Sequence, residues 1–354
     1  MHIKTYRTSI ILGITFTLLL STFWFLPQLA FIIFISLLLQ LLLRPLVDCL
    51  ESKVPRARAL SSAFVLCVFL LVAFALLWIV SSTFVPTFSR FVTDFPQLSE
   101  KLQESSFLQD TPILNEEADR IWAELKSASV LALTSSLSLV FSAFGKAIDL
   151  IIILFVTFYL LKDGEAIKEY LARLFPTRDY TRVLALFNRI LMALRTYVCS
   201  QLIICCITAA VVFFYFTARS LPYASVFAVV SGVCEFIPVL GPTVASAFGT
   251  LLTATENGWI ALQTLGFYIV LTQINHNIVY PTLIGKSLNL HPIAIILGII
   301  LGGELLGAAG MFLAVPFIVI CKLVIEDIYT DRIQTREKLR SSRWLAKNPK
   351  PPTE

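Results

Sequence analysis

Eight runs of apolar residues, most of them near the length of a bilayer crossing, leave this chain few possible folds. They cover 8–26, 29–43, 60–84, 147–161, 198–218, 224–254, 259–280 and 293–325. A membrane helix needs about 20 apolar residues at 1.5 Å per residue. Of the 354 residues 57% are hydrophobic and 14% charged. A soluble domain has roughly 25% charged residues, so the charges here are too few to cover a surface facing water. The composition excludes a secreted disulfide scaffold, a disordered chain and a soluble enzyme. The expected fold is an all-α polytopic membrane protein of about eight transmembrane helices, two of them broken or re-entrant, with amphipathic helices on both sides.

The second and fourth runs are short. The sixth and eighth are too long for one straight crossing, and both carry Pro or Gly inside. Met1 to Arg7 is short and basic ahead of an apolar run, as in a signal peptide. The following Pro27-Gln28-Leu29-Ala30 offers no small-x-small cleavage site, so the run reads as a retained first span. Most of the seven cysteines lie in or beside apolar runs, no C-x-x-C pair occurs, and they read as small hydrophobic residues.

Charge sets the expected orientation. The loop 44–58 carries Arg44, Lys53, Arg56 and Arg58, and 162–197 carries Lys162, Lys168, Arg173, Arg178, Arg182, Arg189 and Arg195. The tail is basic as well, whereas 86–145 has four basic and eight acidic residues. The positive-inside rule puts the basic segments in the cytoplasm and 86–145 outside. Eight crossings then leave both termini in the cytoplasm. The expected organisation is 1–85 as N-terminal transmembrane helices, 86–145 as an extracytoplasmic helical segment, 146–325 as a transport core that includes the cytoplasmic segment 162–197, and 326–354 as a basic tail.

Two segments between spans are amphipathic. In the outer one, Phe84, Phe88, Phe91, Phe95, Leu98 and Leu102 share a helix face, Pro96 and Pro112 interrupt it, and Leu114, Ala118, Ile121 and Leu125 resume it. This face is expected to pack on its own protein or on a partner subunit. In the inner one, Tyr180, Val183, Leu184, Phe187, Ile190, Leu191 and Leu194 form a stripe flanked by arginines. That helix suits membrane lipid at the inner leaflet, or docking under the bundle. The basic residues are accounted for by orientation, and nucleic acid is not an expected partner.

The stretch 230–316 carries the candidate chemistry. Glu235-Phe236-Ile237-Pro238-Val239-Leu240-Gly241-Pro242 lies inside an apolar run. Two prolines and a glycine in five residues cannot continue a helix, and backbone groups freed at membrane depth must face protein or water. Pro238, Gly241 and Pro242 therefore mark a break lining a cavity. A carboxyl group beside it costs roughly 2.5–3.5 kcal/mol to insert, so Glu235 is a candidate to hold a proton, a cation or a polar solute. Gln273, Asn275, His276 and Asn277 form a polar cluster at the end of the next run. Gln273 and Asn277, four apart, share a helix face, and His276 titrates near physiological pH. The cluster suits either the wall of a pathway or a contact between helices. The third element is Gly298 to Gly310, with G-x-x-x-G spacings at 298/302 and 303/307 and a second embedded acid, Glu304. Gly302, Gly303 and Gly307 permit close helix approach or an unwound segment. Two interrupted apolar runs, each with one glutamate, point to a transport site near mid-membrane.

Enzymatic readings find no footing. Gly285-Lys286-Ser287 resembles the end of a phosphate-binding loop, but Tyr280 stands where its first glycine belongs. H-E-x-x-H and G-x-S-x-G are absent, and a lone histidine is no metal site. Neither a cofactor nor a metal is expected.

At several of these residues the chain resembles the autoinducer-2 exporter (AI-2E, PerM-like permease) family of bacterial membrane transporters. The resemblance rests on Phe158-Tyr159-Leu160-Leu161-Lys162-Asp163, Arg195-Thr196-Tyr197, Glu235 to Pro238 with Gly241-Pro242, and Asn277 with Pro281. It continues through His291-Pro292, and from Gly302-Gly303 through Gly307 and Gly310 to Pro316, so that it covers about 145–325. One departure is Ser200 before Gln201, where the family often has glycine, a residue that tolerates positive φ. The resemblance implies an inner-membrane transporter of about eight spans, a homo-oligomer, with cargo such as a small signalling molecule or sodium in exchange for protons.

The leading expectation is a secondary transporter or facilitator exporting a small polar solute, autoinducer-2-like, between the broken segments. Glu235 would carry the coupling proton or cation, and Gln273, Asn275, Asn277 and Glu304 would line the path. The alternatives are a sodium– or lithium–proton antiporter and a non-transporting scaffold that holds a partner through 86–145.

Overall fold

The computed structural model describes residues 25–53, 58–104, 136–238, 240–284 and 290–347, with a few positions between 11 and 21. Nearly half of the first expected span lies outside these residues. So do Pro112, the stripe at Leu114, Ala118, Ile121 and Leu125, and the Gly285-Lys286-Ser287 turn.

The described elements are helical, and no strand occurs among the described residues. We number them α1 (Pro27–Lys53), α2 (Arg58–Glu104), α3 (Ser136–Arg173), α4 (Tyr180–Ala218), α5 (Ala224–Cys234), α6 (Leu240–Ala254) and α7 (Gly258–Ile274). A π-helical stretch (Asn275–Val279) leads into α8 (Tyr280–Ile284), followed by α9 (Pro292–Leu306) and α10 (Ala308–Lys347). Four stretches are long and apolar enough to cross a bilayer: Pro27–Ser52, Arg58–Phe91, Tyr180–Ala218 and Ala308–Thr330. Shorter apolar helices, α5, α6 and α9, lie among them. The protein is thus an all-α polytopic membrane protein, with the interrupted runs 224–254 and 293–325 each divided into two helices.

Several elements run further than the hydropathy pattern implies. Helix α2 continues through Pro86 and Pro96, so Pro96 does not interrupt it. A proline removes one backbone donor, and a helix of 47 residues retains enough of its ladder to continue. Helices α3 and α4 extend the spans at 147–161 and 198–218 into the basic segment and meet at the short 3₁₀ turn Thr177–Asp179.

The chain forms two compact units. One comprises Leu42–Lys162 and Thr196–Ser287. At one end of this unit the Arg58 guanidinium ties three helices together: its Nε donates to the Leu161 carbonyl at 3.2 Å, and its terminal nitrogens pair with Glu51 at 3.3 Å and Asp48 at 3.7 Å. The centre of the unit is an antiparallel pair, α4 against α7 and α8. Contacts at Arg219–Gln263, Tyr215–Thr264, Thr208–Asn275, Gln201–Tyr280 and Ser200–Leu283 keep one register along the pair. Ser200 is helical and donates to the Leu283 carbonyl at 3.1 Å, so the position asks for no positive φ.

Helices α5 and α6 form a hairpin on this pair. Phe227 and Phe248, on opposite sides of the break, pack with rings tilted by 38° and centroids 5.2 Å apart, so the two legs are antiparallel. Their 11 and 15 residues span roughly 16 and 22 Å at 1.5 Å per residue, short of the roughly 30 Å hydrocarbon core. The hairpin is therefore re-entrant. It starts beside the Ala218 end of α4, and its tip reaches the level of Gln201 to Thr208. Its mouth is fixed by α2: Phe91, 2% exposed, packs edge-on against Tyr223 and Phe248, and the Tyr223 hydroxyl donates to Asp94 at 2.6 Å. The outer aromatic stripe thus packs on its own chain at Phe88 and Phe91. Phe91, Val212, Phe216, Phe227, Leu252 and Tyr268 belong to the core of this unit.

The second unit comprises Met1–Leu41, Asp163–Arg195 and Leu288–Glu354. Here α9 and α10 form another hairpin. His291 caps α9 by accepting from the Ile293 N–H at 3.3 Å, with Pro292 in the first turn, where its missing N–H costs nothing. The turn is at Gly307, φ 59° and ψ −141°, a conformation essentially reserved for glycine. Pro316 lies within α10 without ending it. In the basic segment Arg182 forks onto Asp327, with Nη2 at 2.6 Å and Nε at 3.1 Å from Oδ2, while Arg189 pairs with Glu326 at 3.7 Å. The arginine face of this segment thus docks on α10.

Candidate functional site

The break after α5 follows from local chemistry. Glu235 ends the helix, its N–H bonded to the Ser231 carbonyl at 3.0 Å. Pro238 has no N–H to extend the ladder, and the chain turns through Ile237 and Pro238 before Leu240 starts α6. At Gly241 a Cβ would stand 1.7 Å from the Cys234 carbonyl oxygen, so the tip closes only because that side chain is absent. Gly232 performs the same service one level up, where a Cβ would meet Ala209 Cβ at 2.9 Å and press α5 away from α4.

Glu235 is 3% exposed and sits at the tip among uncharged hydrogen-bonding groups. Asn275 Nδ2 donates to Glu235 Oε1 at 3.3 Å and to Thr208 Oγ1 at 3.0 Å. Gln201 Nε2 donates to the Glu235 carbonyl at 2.8 Å. That carbonyl is one of the acceptors a helix leaves unpaired at its C-terminus, so Gln201 caps the re-entrant helix from α4. The Tyr280 hydroxyl reaches Gln201 Oε1 at 3.5 Å. Gln201, Thr208, Glu235 and Asn275 are all at most 3% exposed. Two buried polar atoms beside them, Asn275 Oδ1 and the Tyr197 hydroxyl, have no hydrogen-bond partner.

A cleft of about 260 Å³ opens on the other side of the tip, between α6 and α7. Pro242, Thr243 and Ser246 line it from α6, and Tyr268, Thr272 and Gln273 from α7, with His276 at its edge. Tyr268 also bonds Ser231 at 3.1 Å. Gln273 accepts from Asn277 Nδ2 at 2.8 Å, and His276 stacks on Tyr280 with ring centroids 5.4 Å apart.

The structure thus divides the residues read from the sequence. Glu235 and Asn275 meet in the sealed cluster, below Pro238 and Gly241. Pro242, Gln273 and His276 line the cleft. Gln273 and Asn277 do share one face, turned away from Glu235. Gly302, Gly303, Glu304 and Gly307 belong to the other unit, where the glycines serve its hairpin. A Cβ on Gly302 would lie 2.3 Å from the Gly310 carbonyl oxygen, and one on Gly303 would lie 2.8 Å from the end of Met311. Glu304 is exposed on α9, one turn before Gly307.

Sequence reading missed Gln201, Thr208, Tyr280 and the π turn. Gln201 and Thr208 sit seven apart, two helical turns, and so point the same way from α4. That shared polar face inside an apolar run was the available signal.

The description "AI-2E family transporter" fits residues 14–330 of this chain. The chain is 29% identical to "Putative transport protein YueF" of Bacillus subtilis (strain 168) over 372 aligned positions, 99% of this chain and 98% of that protein. It is 28% identical to "AI-2 transport protein TqsA" of Escherichia coli (strain K12) over 145 positions, 41% of this chain and 42% of that protein.

Proposed function

This chain belongs to the AI-2E transporter family, and we propose that it exports a small polar solute in exchange for protons. The observation that carries the reading is Glu235: a carboxyl group sealed at the tip of a re-entrant hairpin, bonded only to neutral partners. Insertion of such a group is costly unless it is paired or used. Glu235 takes up and releases the coupling proton, and Asn275, Thr208 and Gln201 hold it in place. The solute passes by the cleft of Pro242, Gln273 and His276, where side-chain hydroxyls, an amide and an imidazole offer hydrogen bonds. Asn277 orients Gln273. Gly302, Gly303 and Gly307 shape the second hairpin. An autoinducer-2-like molecule, suggested by the name of the Escherichia coli relative, is the proposed cargo. The protein works as a homo-oligomer in the bacterial inner membrane with both termini cytoplasmic, and it performs no chemistry on its cargo.

A second reading draws on the oxygens of Glu235, Thr208 and the unpartnered Asn275 Oδ1: a sodium or lithium ion alternating with the proton. Purified protein reconstituted into liposomes under an imposed pH gradient separates the two. Efflux of the autoinducer-2 precursor, independent of sodium, supports solute export; proton movement triggered by sodium or lithium alone supports antiport. In either case Glu235→Gln is expected to lower flux at least tenfold without altering the gel-filtration profile. Wild-type flux in that variant removes Glu235 from the mechanism.

A further inference from the structure

The sealed cluster and the cleft meet at one short stretch of chain, the π turn after α7. Asn275 opens that turn and faces Glu235, whereas Gln273 and His276, two residues before it and one after, line the cleft. We propose that Asn275 is a positioning residue through which the gain or loss of a proton at Glu235 resets the shape of the cleft. The inference rests on the reading of Glu235 as the proton carrier and is independent of what the cargo is.

The hydrogen-bond inventory supplies the mechanism. An ionised carboxylate only accepts, and Asn275 Nδ2 serves it as donor while Asn275 Oδ1 stays buried without a partner. A protonated Glu235 becomes a donor, and the side chain already bonded to it carries the idle acceptor. A half-turn of the amide then lets Glu235 O–H donate to Oδ1. Thr208 can follow, since its hydroxyl accepts from Nδ2 in one arrangement and donates to Oδ1 in the other. The cluster therefore has two bonding patterns, one for each protonation state. Asn275 hands the change on because it begins the π turn, whose backbone carries one residue more than an α-helix over the same stretch. Drawing that residue into regular α geometry turns the chain by about 100° per residue, which would carry His276 across the cleft edge.

Other titratable groups face Glu235 from each packed element: Cys205 from α4, Cys234 from α5 and Tyr280 from α8. Thiols and phenols ordinarily titrate at about 8.5 and 10, above the range used below. His276 lies in the cleft itself, and the test removes its imidazole.

The test reads the cleft directly. A full-length chain with its native cysteines replaced, carrying His276→Phe to remove the local imidazole and Gln273→Cys to take a trifluoromethyl thiol label, is placed in lipid nanodiscs. Its fluorine resonance is followed from pH 5.5 to 7.5, with Thr272→Cys as a second reporter. The resonance is expected to shift between two positions with pH. Glu235→Gln should hold it at the acidic position, and Asn275→Leu should abolish the pH response. A flat response in the parent overturns the proposal, and so does a pH-dependent shift that survives Asn275→Leu. Where Asn275→Leu fails to fold, Asn275→Ser, too short to bridge to Glu235, should give the same loss. A flat label, with proton-linked flux intact in the unlabelled wild-type chain, refutes the positioning role alone, whereas a responsive label with no flux from the wild-type chain refutes the transport reading alone.

Discussion

At the scale of single residues, side-chain size decides the tip of the first hairpin. Gly241 and Gly266 are both helical glycines in apolar sequence, yet their surroundings differ. A Cβ on Gly241 would overlap the Cys234 carbonyl, while nothing lies within 4 Å of one on Gly266. Gly241→Ala is therefore expected to cost about 3 kcal/mol or more, since backbone cannot yield as a side chain does. Gly266→Ala is expected to gain about 0.5–1 kcal/mol from the lower entropy of alanine in a helix. Thermal unfolding of the purified variants in detergent should move in opposite directions, and equal effects would mean that the tip is not closed as described.

At the scale of elements, the breaks were legible in the sequence and the partners were not. Pro238 to Pro242 announced the first hairpin because proline and glycine act locally, and the first turn came where they stand. The second break falls at Gly307, inside the glycine-rich stretch 298–310: α10 absorbs the missing donor of Pro316, whereas φ 59° with ψ −141° excludes nearly every residue but glycine. The cluster around Glu235 was hidden for a different reason. Gln201 reaches it across 34 residues and Asn275 across 40, and only the register of α4 on α7 brings them together. A local pattern does not encode that register. It could place Gln273 and Asn277 on one face and could not tell that the face turns away from Glu235. The second hairpin offers a graded check. Gly302→Ala meets the Gly310 backbone, whereas a Cβ on Gly298 meets the movable end of Ile318. The first change should lower the yield of folded protein severalfold, and the second only slightly, as measured by fluorescence-detected gel filtration.

At the scale of the whole molecule, the most apolar stretch of α2 is 11% buried against 50% for α1. A surface so poor in protein contacts is solvated by lipid or by neighbouring copies. Orientation follows from charge: with 44–58 and 162–197 basic and 86–145 acidic, a fluorescent protein fused after Glu354 should fluoresce in the cytoplasm, and alkaline phosphatase inserted near residue 110 should be active. The opposite pair of results would invert the topology.

The short legs of the first hairpin have an electrical meaning. Thr208, level with the tip, lies ten residues from Ala218, about 15 Å at 1.5 Å per residue, or half the thickness of the hydrocarbon. An elementary charge crossing the whole membrane exchanges about 2.3 kcal/mol per 100 mV, so under the proposed coupling a proton travelling from the mouth to Glu235 samples about half of that. Turnover limited by this step should change e-fold for roughly every 50 mV of applied potential, a steepness that patch recording on reconstituted protein can read.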